Sequence, residues 1–457
     1  MARFPATNDL DERLDFLGQL PLLKIYTQIS LCFPVPDESS RPAIINTLTK
    51  GLERLTAGFP WVAGQVVNSG SNEGNPDILK ITALDPLPRL VVKDLRDDPS
   101  MPTMSALRQA NFPFRMLDEN VIAPRNTLPG GPNEEKSPVF LLQANFLTGG
   151  LVLTIVGAHP AMDMTGQGQL IDLLSKACRG EEFTSEELKF GNLPRHDLVP
   201  LLDDDYTPGP EVEHQIVKPA TSDPPSTTAP PANCSWKYFT FPAASLTAIK
   251  SLAAESTTLP PGGFISTDDA LSAFIWQSII RARLPRLDPI ATTTLCRAVD
   301  VRHAFNLPDT YAGLMQNINY HPYTIADLVS LPLGVVASGL RLALDPAQLA
   351  YRTRALATVL TRSADKSIVS FAAKVDSSTD LMMSSWSKLD CYELDFGLGL
   401  GKPECVRRPQ FTPYECLSYL MPKRRDGEVT YGVSLRDEDM ERLRGDEEFK
   451  KFATFIE

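Results

Sequence analysis

Residues 139–180 read VFLLQANFLTGGLVLTIVGAHPAMDMTGQGQLIDLLSKACRG. Two apolar runs flank Thr148-Gly149-Gly150, which predicts a β-hairpin. The second run leads into His159, and Pro160 disfavours helical backbone at that histidine. A helical pattern begins a few residues later, and Gly180 predicts its C-terminal end. The stretch therefore predicts a hairpin, a loop that carries a histidine, and a helix, in that order.

The rest of the chain continues this mixture of strand and helix patterns. Alternating or β-branched runs predict strands at 25–33, 59–67, 235–241, 292–302, 366–374 and 379–389. Amphipathic runs predict helices at about 42–58, 168–180, 243–256 and 266–284. No glycine-rich turn has the spacing of a dinucleotide-binding or P-loop motif. The alternation predicts an α/β protein with mixed, largely antiparallel sheets rather than a doubly wound parallel sheet.

One segment differs from the others in composition. Residues 205–235 are rich in Pro, Ser and Thr, and such a segment cannot fill a core. We therefore expect an exposed crossover there, between an N-terminal domain (1–204) and a C-terminal domain (236–457). A short segment near 366–390 is expected to cross back to the first domain.

Composition limits the function classes. The chain has 44 Lys and Arg against 56 Asp and Glu, a net charge of −12, and it lacks a basic stripe for phosphates, which disfavours nucleic-acid binding. Its seven cysteines are widely spaced and include no CxxC, so neither a disulfide framework nor a metal centre is predicted. We find no apolar signal core and no run of about 18 apolar residues, and we expect a cytoplasmic protein without a membrane span.

Two motifs stand out from this background. There are five histidines, and His159 at a predicted strand end forms HPAMD with Asp163, where a functional side chain can project from a loop. The alternative is a structural histidine, since a lone HxxxD also arises by chance. The second motif is LDFGLGLGKP at 394–403, whose glycines predict a tight backbone bend. The alternative there is a glycine-rich turn beside a packed helix or a phosphate.

The two motifs together resemble the BAHD superfamily of CoA-dependent acyltransferases. Further matching stretches are STDDALSAFIW (266–276), AVDVR (298–302) and SSW (384–386). Over nearly the whole chain the sequence is similar to fungal trichothecene 3-O-acetyltransferases, in stretches such as WVAGQV, VVKDLRDDPS and SLRDEDMERL. One departure is that the superfamily's HxxxDG becomes HPAMDMTG, with the glycine displaced.

The resemblance implies a fold and a reaction. The fold would be two chloramphenicol-acetyltransferase-like α/β domains with a central solvent channel between them. His159 would be the general base that activates an alcohol for attack on acetyl-CoA, with no acyl-enzyme and no metal. The acceptor would be a small apolar alcohol, the C3 hydroxyl of a trichothecene. We expect a monomer.

The resemblance also implies roles for other residues. Asp163 would pair with Arg302 and fix the loop, and the bend of DFGLG would depend on Asp395, Gly397 and Gly399. The oxyanion or acyl pocket would include Ser384, Ser385 and Trp386. Basic and helix-terminal groups that could meet CoA phosphates are Ser266, Thr267, Lys402, Arg407 and Arg408. The alternatives are N-capping for Ser266 and Thr267, and a solvated surface for the three basic residues.

Other functions stay open from sequence. One is a superfamily member that acylates another fungal alcohol or amine, and another is a binding protein without catalysis. A peptide-synthetase condensation domain also carries HxxxD, but those domains have a second histidine where Ala158 stands here.

Overall fold

Strands and helices alternate over the residues that this computed structural model describes, 10–69, 78–84, 90–128, 130, 136–218 and 232–457. The strands are β1 (Asp11–Arg13), β2 (Tyr26–Pro34), β3 (Gln65–Asn68), β4 (Leu79–Thr82), β5 (Leu90–Asp94), β6 (Phe140–Leu147), β7 (Gly150–Ala158), β8 (Cys234–Phe241), β9 (Thr292–Asp300), β10 (Gln316–Thr324), β11 (Leu381–Ser385), β12 (Cys405–Arg407), β13 (Leu417–Leu420), β14 (Val429–Arg436) and β15 (Thr454–Ile456). The α-helices are α1 (Arg41–Gly58), α2 (Met104–Gln109), α3 (Glu119–Ile122), α4 (Met164–Cys178), α5 (Ser185–Gly191), α6 (Ala243–Ala254), α7 (Thr267–Arg283), α8 (Ile325–Ser330), α9 (Leu333–Leu342), α10 (Pro346–Arg362), α11 (Asp437–Gly445) and α12 (Glu447–Lys450).

A five-stranded sheet forms the core of the first half, with the order β12-β2-β7-β6-β5. Strands β6 and β7 are buried along their whole length, as their continuous apolar runs require. Gly149, with φ of 77°, turns the chain between them, so the predicted hairpin is confirmed. Apolar residues of α1 and α4 complete the same core cluster. A separate three-stranded sheet has the order β1-β4-β3.

A seven-stranded sheet forms the core of the second half, with the order β10-β9-β11-β13-β14-β8-β15. Strand β11 runs parallel to both of its neighbours, and the other pairs are antiparallel. Helices α6, α7, α9 and α11 contribute to its apolar cluster. The α/β class with mixed, largely antiparallel sheets is therefore confirmed. No helix within the described ranges is long and apolar enough to cross a membrane.

One strand from the second half of the chain joins the first sheet, and it comes from a different segment than the one predicted. We expected residues near 366–390 to cross back, but β11 in that segment lies between β9 and β13 in the second sheet. The strand that joins the first sheet is β12, which pairs antiparallel with β2. Both segments are short, and only their distant partners decide which sheet each one enters. Of the predicted crossover 205–235, residues 219–231 lie outside the described residues.

Two other predicted strands are corrected. In 59–67, a proline fixes the start of a 3-10 turn at Pro60–Ala63, and only Gln65–Asn68 is a strand. In 366–374, the chain forms a 3-10 turn at Lys366–Ile368, and its apolar side chains are buried in a cluster instead of pairing in a sheet.

Candidate active site

His159 stands at the end of the buried hairpin. Strand β7 ends at Ala158, and the amide of His159 donates to the carbonyl of Ile25 at 2.9 Å. The amide of Ala161 then donates back to Ala158 at 3.0 Å, which closes a tight turn around Pro160. The imidazole is half-buried at this turn. The backbone thus presents the ring at a strand end, as the sequence predicts.

The contacts of the ring determine its tautomer. Nδ1 of His159 lies 3.2 Å from the carbonyl oxygen of Met162. A carbonyl oxygen only accepts, so Nδ1 carries the hydrogen and Nε2 keeps a free lone pair. Burial lowers the pKa of His159, and the nearby charge of Arg408 acts in the same direction, against the opposing effects of backbone contacts and Asp163. The ring is therefore neutral near pH 7 and able to accept a proton at Nε2.

Asp163 organises the loop below His159. Its carboxylate caps helix α4 by accepting the amide of Gly166 at 2.8 Å. It also accepts both terminal nitrogens of Arg302, at 2.9 and 2.8 Å, and the amide of Met315 at 2.7 Å. None of these donors is the His159 ring. The carboxylate therefore supports the loop and leaves the face of the imidazole free.

Arg302 is the predicted partner of Asp163, and every N–H group of its guanidinium donates a hydrogen bond. Besides Asp163, it donates to Asp300 at 3.1 Å and to the carbonyls of Tyr311 and Gly313 at 3.0 and 2.6 Å. The side chain is fully buried, and each of its five N–H groups has an acceptor. Since Arg302 follows β9 of the second sheet, this ion pair joins the two halves of the protein at the histidine loop.

The displaced glycine of the motif has a structural reason. Gly166 lies in the first turn of α4, and a Cβ added there would be 2.3 Å from the carbonyl oxygen of Ala312. Only glycine lets this turn approach the 312–313 loop so closely. That loop supplies the Gly313 carbonyl to Arg302, so Gly166 lets α4 pack against the loop that contributes to the ion pair.

The SSW segment ends strand β11. The hydroxyl of Ser385 donates to Asp268 at 2.5 Å, so it is already used. The indole of Trp386 donates to Oγ of Ser384 at 3.1 Å and packs at a tilt of 45° against Tyr419, with a centroid distance of 4.9 Å. Within the described residues the hydroxyl hydrogen of Ser384 has no acceptor, and that side chain is half-buried. Ser384 is therefore the serine of this segment that is free to donate.

The DFGLG bend lies far from the histidine. Asp395 accepts the amide of Gly397 at 2.8 Å, and its own carbonyl accepts a hydrogen bond from Arg179. Arg179 is the C-cap of helix α4, and Asp163 is its N-cap. The helix has 15 residues, which makes it about 22 Å long. One helix thus connects the two motifs and holds them at opposite ends.

Replacing Gly399 with alanine is expected to lower the free energy of unfolding by about 1–2 kcal/mol. Gly399 has φ of 74°, and no atom lies within 4 Å of an added Cβ, so the cost comes from the backbone alone. Gly445→Ala is the control, because it is equally open but lacks the left-handed backbone; it should be neutral or stabilise by up to about 1 kcal/mol. Urea unfolding measures both, and equal changes would contradict this account.

The structure shows Ser266 as the N-cap of α7, and contact of Ser266 or Thr267 with an anion of CoA stays a prediction. Oγ of Ser266 accepts the amide of Asp269 at 3.1 Å, and the Asp269 carboxylate accepts the Ser266 amide, which is a capping box. Asp268 and Asp269 also occupy the first turn of α7. These carboxylates offset the positive end of the helix. The alternative of plain N-capping is therefore favoured.

The burial and contacts of Arg407 disfavour its predicted role in binding a CoA phosphate. Its side chain is 2% exposed and donates to the carbonyls of Phe112, Asn111 and Val406 at 3.1, 3.2 and 3.0 Å. These contacts direct the guanidinium toward neighbouring backbone and help to fix β12 in the first sheet. Lys402 is exposed and pairs with Glu393.

Some contributors to the site carry no sequence signal. The Asp163 network depends on the amide of Met315 and the carbonyl of Gly313, which are backbone groups that any residue type supplies. The charge of Arg408 lowers the pKa of His159, but in the sequence Arg408 cannot be told apart from the neighbouring Arg407. Only the fold separates these two arginines.

Other features of the described residues lie away from His159. A cavity of about 90 Å³ is lined by residues that include Asp15, Arg195 and Met315, but not by His159. No group of three or more His, Cys, Asp or Glu in the described ranges could hold a metal ion.

Known proteins with similar sequence and structure match along the whole chain. The O-acetyltransferase dmxR13 of Cryptosporiopsis sp. is 56% identical over 453 residues, covering 98% of each chain. The trichothecene 3-O-acetyltransferase TRI101 of Fusarium sporotrichioides is 54% identical over 458 residues, covering 99% of this chain and 98% of that protein. The crystal structure of F. graminearum TRI101 complexed with coenzyme A and deoxynivalenol superposes with a TM-score of 0.92 at 51% identity, covering 98% of this chain and 100% of that one.

Family profiles agree with these relatives. The trichothecene 3-O-acetyltransferase-like N-terminal domain matches residues 25–178, which include the hairpin, His159 and α4. The Transferase family matches residues 119–450, which include both motifs and most of the second sheet. This chain therefore belongs to the Transferase family, the BAHD acyltransferases, and resembles its trichothecene 3-O-acetyltransferase branch over its full length.

Proposed function

We propose that this protein transfers the acetyl group of acetyl-CoA to the C3 hydroxyl of a trichothecene. The observation that carries the proposal is the placement of the His159 imidazole at the strand end, with Nδ1 against the carbonyl of Met162 and with no hydrogen-bond partner for Nε2 in the described part of the chain. The protein that carries this histidine is 54% identical to a trichothecene 3-O-acetyltransferase over its full length. The relative from F. graminearum, crystallised with coenzyme A and deoxynivalenol, supports both substrates.

In the proposed reaction, Nε2 of His159 accepts the proton of the acceptor hydroxyl as the oxygen attacks the thioester carbonyl carbon. The new C–O bond forms, and the carbonyl electron pair moves to the oxygen, which becomes negative. The carbonyl then re-forms, the C–S bond breaks, and the departing thiolate takes the proton from His159. Since the alcohol attacks directly, the reaction needs no nucleophilic serine or cysteine.

The other residues receive supporting roles in this proposal. Asp163 and Arg302 hold the histidine loop. Ser384 donates toward the thioester oxygen, and Trp386 forms part of the acyl pocket. The bend at 395–399 holds the far end of α4, and Lys402 is the remaining basic candidate for a CoA phosphate.

Purified protein incubated with acetyl-CoA and deoxynivalenol tests the function. We expect CoA thiol release that depends on the acceptor, with one acetyl group added to the product by mass. Deoxynivalenol already acetylated at C3 is the matched control and should release no thiol above background. Release without an acetylated product, or equal release with the blocked compound, would reject the assignment.

The second candidate is acetylation of another fungal alcohol or amine. It is favoured by the 56% identity to dmxR13, whose name gives O-acetyl transfer without a trichothecene. A panel of apolar alcohols and amines in the same thiol assay separates the two candidates by kcat/KM. A binding protein without catalysis would release no thiol with any acceptor.

The rate is expected to depend on pH through His159. Because burial lowers the pKa of its imidazole, kcat/KM should fall on acidification with a midpoint below about pH 6.5 and should level off above it. The sign follows from the base, which must be neutral and is lost as pH falls through its pKa. A midpoint clearly above 6.5 in a kcat/KM–pH profile would contradict this environment.

The domain division, the oligomeric state and the location stay predictions. We propose two domains joined by the 205–235 crossover, which limited proteolysis should cut first. A monomer predicts a mass near 50.3 kDa in sedimentation. Cell fractionation tests the cytoplasmic location.

A further inference from the structure

Arg408 is a buried arginine without a carboxylate partner. Its side chain is 2% exposed, and no ion pair to it occurs within the described residues. Among the residues with described positions, its side chain donates only to Oγ1 of Thr127, at 3.5 Å, and its buried Nε has no partner. Arg302, equally buried, has an acceptor for every N–H. A buried charge is normally paired because burying it alone is costly. We therefore ask which function the Arg408 charge could serve.

Aromatic rings hold the Arg408 guanidinium in place. It lies 4.2 Å from the ring centroid of Phe411, 4.5 Å from that of Tyr419 and 5.5 Å from that of Trp386. Ring faces attract a cation, but they carry no net charge that would neutralise it. Trp386 also bonds to Ser384, so the cation stands beside the SSW segment.

The same cation lies near the histidine. The hydroxyl of Thr127 accepts the hydrogen bond from Arg408, and the backbone carbonyl of Thr127 accepts the amide of Tyr26 at 2.9 Å. Tyr26 in turn pairs with Ala158, which immediately precedes His159. The charged groups that act on the imidazole are Asp163 and Arg408, and Asp163 is already filled by its four donors. Arg408 therefore supplies a positive charge close to both the base and the SSW segment, and no carboxylate of the described chain pairs with it.

Acyl transfer produces negative charge close to the general base, on the carbonyl that the alcohol attacks. Attack of the alcohol places it on the thioester oxygen, and collapse passes it to the sulfur. A fixed cation in a dry site stabilises such charge far more than water does, and it favours the transition state because the neutral thioester carries no such charge. Resting on the proposed acetyl transfer, we infer that Arg408 supplies the positive charge that stabilises the thioester oxyanion.

The experiment compares Arg408→Met with Arg407→Met in the full-length protein. Arg408→Met should lower kcat by about 10²- to 10³-fold, with little change in the KM for acetyl-CoA. Its melting temperature should stay equal or rise, because an unpaired buried charge is replaced by an apolar chain of similar length. Arg407→Met should instead lower the melting temperature, because it removes the donors to three backbone carbonyls.

Two further readouts separate an electrostatic role from a structural one. Arg408→Lys keeps the charge and should retain more of kcat than Arg408→Met. In Arg408→Met the acid limb of kcat/KM should move to higher pH, since the cation no longer lowers the pKa of His159. Failure of Arg408→Met to fold, parent-like kcat, or a lysine variant no more active than the methionine variant would overturn the inference. An inactive parent protein would instead reject the proposed function.

Discussion

Replacing His159 with alanine is expected to lower kcat by about 10²- to 10⁴-fold, the range that a positioned general base contributes. An alcohol barely ionises near neutral pH, and the free Nε2 of this ring is the acceptor proposed for its proton. Since the base acts only as the proton moves, kcat and kcat/KM should fall together, and KM should change little. Steady-state assays with acetyl-CoA and the best acceptor of the panel measure the effect.

The His159→Ala protein should remain folded. The ring is half-buried and contacts the backbone carbonyl of Met162, which is uncharged, so its removal leaves no buried charge unpaired. The matched control is His303→Ala, because that side chain is 81% exposed and pairs with Asp309 at the surface. The control should keep both kcat and melting temperature. Turnover of His159→Ala within a few fold of the parent would reject the base assignment.

Local sequence patterns predicted the elements that present the base. The hairpin, the strand end at His159 and helix α4 are contiguous in sequence, so turn residues and apolar periodicity suffice to predict them. The arginine that pairs with Asp163 was available only through the family resemblance, because it comes from the other half of the chain.

Local patterns failed where distant partners decide the outcome. Arg407 and Arg408 are adjacent, and the side chain of one fixes strand β12 while that of the other stands among aromatic rings. No periodicity assigns these environments, since they depend on where β12 enters the first sheet. For the same reason, local patterns place the strand that crosses to the first sheet at 366–390 instead of at β12. The sequence shows that Asp268 and Asp269 make the first turn of α7 acidic. The hydrogen bonds that make Ser266 an N-cap are known only from the structure.

Replacing Asp163 with asparagine is expected to lower the free energy of unfolding by about 3–5 kcal/mol, the usual cost of removing one partner of a buried ion pair. The substitution keeps the shape of the side chain, but it leaves Arg302 buried with the more exposed Asp300 as its remaining counter-ion. The control is Asp300→Asn. It removes a carboxylate that is 34% exposed and should cost no more than about 1 kcal/mol. Urea or thermal unfolding of both variants measures the difference.

The pH profile shows whether Asp163 supports the loop or takes part in proton transfer. If it supports the loop, the folded Asp163→Asn protein loses rate because His159 shifts, and a displacement of about 1 Å can cost about 10²-fold. Its acid limb should persist, because the base is still present, and should move to lower pH, because Asp163 raises the pKa of His159. Arg408→Met should move the same limb to higher pH. Opposite shifts from these two variants would show that both charges act on one imidazole. A limb that disappears in Asp163→Asn would instead make the aspartate part of the proton transfer.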